Sequence, residues 1–156
     1  MTVAVRPILV LDSASLYYRS FHALPESLVA PDGHPHNALR GFLSTVTRLV
    51  TAHSPASVVA CWDNDWRPQW RVDLVPTYKA HRVADASTGV EAEPESLSAQ
   101  AEAIADVLEA AGIARLGFDG FEADDVIGSL AAQDLRPSIA VSGDRDLVQI
   151  VDARTR

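Results

Sequence analysis

Pro7-Ile8-Leu9-Val10-Leu11-Asp12 is the stretch on which the fold turns. A short continuous apolar run that stops at a carboxylate reads as a strand buried on both faces, the kind found inside a parallel sheet. Val58-Val59-Ala60-Cys61-Trp62-Asp63 repeats the pattern. Ile139-Ala140-Val141-Ser142-Gly143 runs into Asp144 and Asp146, and Ile113-Ala114-Arg115-Leu116-Gly117 precedes Glu122, Asp124 and Asp125. Parallel strands bring their carboxyl ends to one sheet edge, where open α/β proteins place their sites. Seven carboxylates then converge, and they cannot all stay ionised at close range without cations. Oxygen donors without His or Cys call for Mg²⁺ or Mn²⁺.

Working outward, strands are expected at about 7–12, 57–62, 113–117 and 138–142. Helical spacing of Leu39, Phe42, Leu43, Val46, Leu49 and Val50 predicts a helix over about 37–53. Further helices are expected after strand one, capped by Ser13 or Ser15, and over about 96–111, closed by Gly112. Another is expected over 122–133 with its acids in the first turn, and a last short one near Arg145. Residues 25–36 read as a loop with a Pro-Asp-Gly turn. Residues 64–95 show neither strand alternation nor long helical periodicity, and so long a connection in a compact domain is functional or disordered. The order gives an α/β fold: a mostly parallel central sheet with helices on both faces and a long insert at 64–95.

At 156 residues, 47% hydrophobic and 22% charged, the chain has the make-up of one globular domain. No stretch reaches the length of a membrane span and no signal peptide is evident. Cys61 reads as a buried small hydrophobe in a reducing cytosol, so a cytoplasmic location is expected. The net charge of −8 argues on its face against nucleic acid. Its distribution argues otherwise: residues 66–82 carry a local +3 and residues 84–146 a local −11. An acidic cluster beside a basic segment suits a polyanion held by side-chain cations on one side and metal ions on the other. Lys79 is the single lysine among thirteen basic residues.

Each motif alone is ambiguous. A strand-end aspartate such as Asp12 also marks aspartyl phosphatases and receiver domains, but those phosphatases want a second Asp where Ala14 stands. Glu122 and Asp125 share a helical face at i, i+3, and Asp124 can reach round the N-terminus; dipole complementation is the plainer account. Turn chemistry explains one of Asp144 and Asp146 more easily than both. Lys79 and Arg82 fall at i, i+3 and Arg67 and Arg71 at i, i+4, spacings that suit helical faces following phosphates, and Tyr78 could stack on a base. A solvated basic helix is the plain alternative. Trp62, Trp66 and Trp70 read as core, and the five histidines form no metal spacing. It is the conjunction of four acidic sites that carries the argument.

Six segments then fall in a recognisable order: Leu9-Val10-Leu11-Asp12-Ser13, Ser20-Phe21-His22-Ala23-Leu24, Asn37-Ala38-Leu39-Arg40-Gly41-Phe42, Trp70 to Arg82, Gly120-Phe121-Glu122-Ala123-Asp124-Asp125-Val126-Ile127-Gly128, and Ser142-Gly143-Asp144-Arg145-Asp146-Leu147-Val148-Gln149. Over residues 8–150 the chain resembles the 5′-nuclease family of bacterial 5′→3′ exonucleases, the N-terminal nuclease domain of DNA polymerase I, and flap endonucleases, with a PIN-like core. The resemblance implies that Asp12, Asp63, Glu122, Asp124, Asp125, Asp144 and Asp146 belong to a site for two Mg²⁺ or Mn²⁺ ions. It implies that Lys79 and Arg82 act on the scissile phosphate from a helical arch held within 64–95. The acidic second half of that arch is expected to be mobile without DNA.

The implied activity is hydrolysis of 5′-ended, nicked or flapped DNA in replication and repair, by a monomer with no membrane partner. The family continues into a further pair of aspartates and a helix-hairpin-helix element that grips duplex DNA; neither lies in these 156 residues. The chain therefore reads as the N-terminal part of a nuclease domain, needing a C-terminal region for full activity. Ser13 stands where the family commonly has Gly. Two alternatives stay open: a truncated paralogue that binds metal or DNA without cutting, and a single-domain ribonuclease of related fold, which lacks the basic insert.

Overall fold

The computed structural model describes residues 5–83 and 94–156. Four parallel strands, β1 (Ile8–Asp12), β2 (Ser57–Cys61), β3 (Ala114–Leu116) and β4 (Ser138–Val141), lie in the order β3-β2-β1-β4. β1 is central because its run is apolar on both faces. Leu9 and Leu11 point into one cluster with Leu16, Phe42, Leu97, Ile104 and Leu108, while Ile8 and Val10 point into a second with Val126 and Ile127.

Five α-helices are described: α1 (Ser13–Ala23), α2 (Asn37–His53), α3 (Gln69–Leu74), α4 (Glu95–Ala110) and α5 (Ala123–Gln133). α1, α2 and α4 cover the Leu9 face and α5 covers the Ile8 face, so the sheet carries helices on both sides as expected. α1 and α2 approach closely at Gly41, where a Cβ would come within 2.6 Å of Ser20 Cβ. The buried Asn37 amide donates to the carbonyls of Phe21 and Leu24, closing α1, and Gln100 accepts from the Ala38 N–H, tying α4 to the start of α2. α4 ends as anticipated at Gly112, φ +68°.

The cap of α1 is Asp12 itself rather than a serine, since its side chain accepts the Ser15 N–H. The segment after β4 is a 3₁₀ helix, Arg145–Ile150. The insert differs most from expectation. Pro68, which carries no N–H, starts the six-residue α3, so Arg67 lies outside the helix that holds Arg71. Lys79 takes a left-handed backbone, φ +48°, before the 3₁₀ turn Ala80–Arg82. The expected helical faces are therefore absent. The mobility expected for the acidic half of the insert falls at residues outside the described ones. Among the described residues no helix is long and apolar enough to cross a membrane.

Candidate functional site

The carboxyl edge of the sheet is closed by hydrogen bonds between its loops. Asp12 Oδ1 accepts the Ser15 N–H at 3.1 Å, and Asp12 Oδ2 accepts the Ser142 hydroxyl at 2.5 Å. Ser142 Oγ also accepts the Asp144 N–H at 2.9 Å, and Ser15 Oγ accepts the Gly143 N–H at 2.8 Å. A Cβ at Gly143 would sit 2.9 Å from Ser15 Oγ, so a glycine suits this close approach of the β4 loop to α1. Asp63, just past β2, accepts the Ala123 N–H at 2.6 Å. That places an anion against the N-terminus of α5, where the helix dipole favours it.

Glu122 is the N-cap of α5 and is only 3% exposed. The Tyr78 hydroxyl donates to its Oε1 at 2.7 Å and the Lys79 ammonium to its Oε2 at 2.5 Å. Lys79 also donates to the Trp66 carbonyl at 2.9 Å. Arg71 pairs with Asp125 at 2.5 Å, its Nε lies 3.6 Å from Glu122, and its guanidinium stands over the Trp70 and Tyr78 rings. The insert is thus pinned to α5 by four polar contacts.

Above this edge opens a cavity of about 990 Å³. Asp12, Asp63, Glu122, Asp124 and Asp144 line it, with Lys79, Arg82 and Arg145 among the same walls. Asp125 and Asp146 do not line it. Asp125 turns to Arg71 and to the Glu122 N–H, a reciprocal contact across the first turn of α5. Asp146 lies two residues on, in the first turn of the 3₁₀ helix, with its N–H held by Asp144. Of the DNA-contact candidates, Lys79 and Arg82 line the cavity. Arg67 instead donates to the carbonyls of Tyr78 and Pro76, and Arg71 and Tyr78 are engaged with the acids. Trp62 packs on Tyr17, whereas Trp70 is 43% exposed and donates its indole N–H to Gly120, so it is not core.

Sequence reasoning gave no site role to Ser142, Ser15 or Arg145, and it read Trp66 as core, whereas Trp66 lines the cavity. Ser142 and Arg145 flank Asp144 in a segment already marked for its acids, which was the available signal. His81, one of the five histidines without metal spacing, is exposed and stands at the cavity wall.

The electrostatics follow from burial and crowding. Burial pushes Asp12 and Asp63 above the ordinary carboxylate range in spite of their hydrogen bonds. Asp124 is pushed up to about 7, first by burial and then by the charges of Asp12, Asp144, Asp63 and Glu122. The Tyr78 phenol is raised by burial and by its bond to Glu122. Burial raises the Cys61 thiol to about 12, which leaves it inert.

An all-oxygen anionic donor set whose members raise one another's proton affinity has the chemistry of a hard divalent cation site. Asp12, Asp63, Glu122, Asp124 and Asp144 fit such an ion by donor type and by excess negative charge. Among the described residues no three of them meet as a ready-made ligand group. Glu122 is instead matched by Lys79.

Comparison with known proteins supplies the context. Residues 7–156 match the family model for the 5′-3′ exonuclease N-terminal resolvase-like domain. A 5′-3′ exonuclease of Streptomyces coelicolor is 53% identical over 147 residues, covering 92% of this chain and 49% of that protein. A 5′-3′ exonuclease of Mycobacterium tuberculosis is 50% identical over 150 residues, covering 93% and 47%. DNA polymerase I of Mycobacterium bovis is 36% identical over 148 residues, covering 92% of this chain and 15% of the polymerase. The chain thus spans about half the length of these exonuclease relatives. In architecture it resembles the phage T5 5′-exonuclease with bound zinc ions, at a TM-score of 0.67 and 19% identity, over 96% of this chain and 54% of that one. The T5 D15 flap endonuclease in a pseudo-enzyme-product complex with DNA and metal ions gives 0.62 and 18%, over 96% and 53%. At these identities the likeness shows the fold alone.

Proposed function

The chain belongs to the 5′-3′ exonuclease family, a nuclease family, through its N-terminal resolvase-like domain, and on that premise we propose that it carries the cation-binding half of a site that hydrolyses phosphodiesters in 5′-ended or flapped DNA. One observation carries the reading: five acids from four separate segments, Glu122 and Asp124 both from the start of α5, share a single cavity with Lys79 and Arg82.

In this reading Asp12, Asp63, Glu122, Asp124 and Asp144 hold Mg²⁺ or Mn²⁺. When bound, such ions supply activation of a water and stabilisation of the leaving oxygen. Lys79 and Arg82 neutralise charge on the phosphoryl oxygens. Asp125 braces Arg71, and Asp146 supports the turn that presents Asp144. Tyr17 and Tyr18 from α1 and Trp66 from the insert supply aromatic lining to the same cavity.

The test is cleavage of a 5′-flap substrate by a protein extended to the length of the exonuclease relatives, with Mg²⁺ or Mn²⁺ and with chelator. Loss of cleavage in Asp124→Ala, in a folded protein, is expected. Cation-independent cleavage, or full activity in that variant, would overturn the reading. A matched RNA flap, expected to be cut poorly, separates it from the ribonuclease alternative. Binding without cutting by the extended protein would favour the paralogue that does not cut.

A further inference from the structure

We propose that Tyr78 is a positioning residue: its hydroxyl anchors the turn that seats the Lys79 ammonium on Glu122, at the wall of the cavity. The turn is an improbable one for its sequence. A non-glycine residue with left-handed backbone persists only where its surroundings over-determine it, and Lys79 has φ +48°. Those surroundings can be named. Arg67 donates to the Tyr78 and Pro76 carbonyls at 2.6 and 3.2 Å, fixing the backbone ahead of Lys79. Lys79 donates at 2.9 Å to Trp66. Tyr78 and Lys79 then take one carboxylate oxygen each of Glu122, at 2.7 and 2.5 Å.

Adjacent residues on a chain rarely reach the two oxygens of one buried carboxylate, and here the left-handed turn makes it possible. The Tyr78 ring is itself occupied, with the Arg71 guanidinium and the Lys79 ammonium each 5.5 Å from its centroid. A tyrosine with its hydroxyl in a carboxylate and a cation on its ring is built to hold neighbours rather than to offer a stacking platform. The consequence for the proposed function is that Lys79 is held at the cavity before any substrate arrives, which lowers the ordering cost of a phosphate contact. That consequence rests on the nuclease reading; the placement of Lys79 by Tyr78 does not.

Because Lys79 is the only lysine, acylation by a mild amine reagent reports on it alone, with the α-amino group as internal control. The chain is labelled as wild type, Tyr78→Phe, Tyr78→Leu and Glu122→Gln, and the sites are resolved by peptide mass. Tyr78→Phe keeps the ring and removes only the hydroxyl. It should raise the Lys79 rate about fivefold, the weight of one net hydrogen bond, and leave the α-amino rate unchanged. Glu122→Gln should raise it as well. Wild-type Lys79 reactivity in Tyr78→Phe, with an increase only in Tyr78→Leu, would overturn the proposal in favour of ring packing. Wild-type reactivity in Glu122→Gln would overturn it too. A 5′-phosphorylated single-stranded oligonucleotide added to the wild-type chain should protect Lys79. Absence of protection alongside the Tyr78→Phe effect would sink the DNA reading while leaving the positioning role supported.

Discussion

Arg71 and Asp125 meet at 2.5 Å, each side chain about a quarter exposed. One was marked in the sequence as a phosphate contact and the other as a metal ligand; the structure pairs them with each other. Asp125 also accepts the Glu122 N–H at 3.1 Å. Asp125→Ala removes both contacts. It should lower stability by about 1–2 kcal/mol, the sum expected for a lost cap and a quarter-exposed ion pair. Chemical denaturation measures that. Isothermal titration with Mn²⁺ should show a smaller loss of affinity than Asp124→Ala does, because only Asp124 faces the cavity. An equal or larger loss would return Asp125 to direct contact with the ion.

Crowded acids predict cation stabilisation. Asp12, Asp63, Glu122, Asp124 and Asp144 share one cavity, and a divalent ion that binds only the folded chain shifts its melting upward by mass action. At a hundred times the dissociation constant the gain is about 2.7 kcal/mol. Melting followed against Mg²⁺ and Mn²⁺ concentration checks this. A flat curve up to millimolar metal, in a folded chain, would refute a cation site in this chain.

The same crowding fixes a pH dependence. Asp12, Asp63 and Asp124 are raised in the folded state from an ordinary 3.8, Asp124 to about 7. The folded form therefore holds protons that the unfolded form releases. That contribution is complete below the unfolded value and is lost as pH rises through the folded one. In chelator the melting temperature should fall from about pH 5 to about pH 8. Asp134, lowered to about 2 by Arg136, acts in the opposite sense but only at more acid pH. A melting temperature that rises over the first window would contradict the geometry, and saturating Mn²⁺ should flatten the slope.

Gly41 gives a prediction about the scaffold. A methyl there would meet Ser20 Cβ at 2.6 Å and Ser20 Oγ at 2.8 Å where α1 and α2 pack together. Gly41→Ala should cost about 1–3 kcal/mol by overpacking. The helix propensity gained over glycine, about 1 kcal/mol, offsets only part of that. Equilibrium denaturation decides, and a stabilised variant would show that α1 and α2 can part at little cost.

β1, β2 and β4 were legible because each is a short apolar run with a carboxylate close behind it, and the parallel arrangement followed from continuous hydrophobicity in β1. The helices α2, α4 and α5 were legible from their spacing. What could not be read was direction within the first turn of α5. Glu122, Asp124 and Asp125 form one acidic group in sequence, and only packing decides that Asp125 turns to Arg71 while Asp124 faces the cavity. The insert was opaque for a related reason. Its conformation is set by contacts to Glu122, forty-three residues on from Lys79, and local spacing suggested a helix where a left-handed residue stands. Ser142 was hidden because a hydroxyl that orients an aspartate has no periodicity.

Lys79 itself yields the last prediction. In sequence it falls in the 64–95 connection read as functional or disordered, a reading under which its loss hardly touches stability. In the structure it is the ammonium partner of a carboxylate 3% exposed. Breaking a fully buried pair costs about 3–5 kcal/mol. Lys79 is one-fifth exposed and Arg71 Nε remains 3.6 Å from Glu122, so Lys79→Met should cost about 1–2 kcal/mol. The same removal leaves Glu122 with less neutralising charge, and divalent cations should then bind more tightly, by roughly three- to tenfold. Cleavage by the extended protein should nevertheless slow, in kcat more than in KM, because the charge facing the phosphoryl oxygens is gone. Lys79→Arg should restore part of the rate and return the cation affinity toward wild type, since it keeps charge with a different donor geometry. Calorimetric titration and single-turnover cleavage, run on the same preparations, separate the two effects. Weaker cation binding in Lys79→Met would mean that Lys79 supports the ion site rather than competing for Glu122.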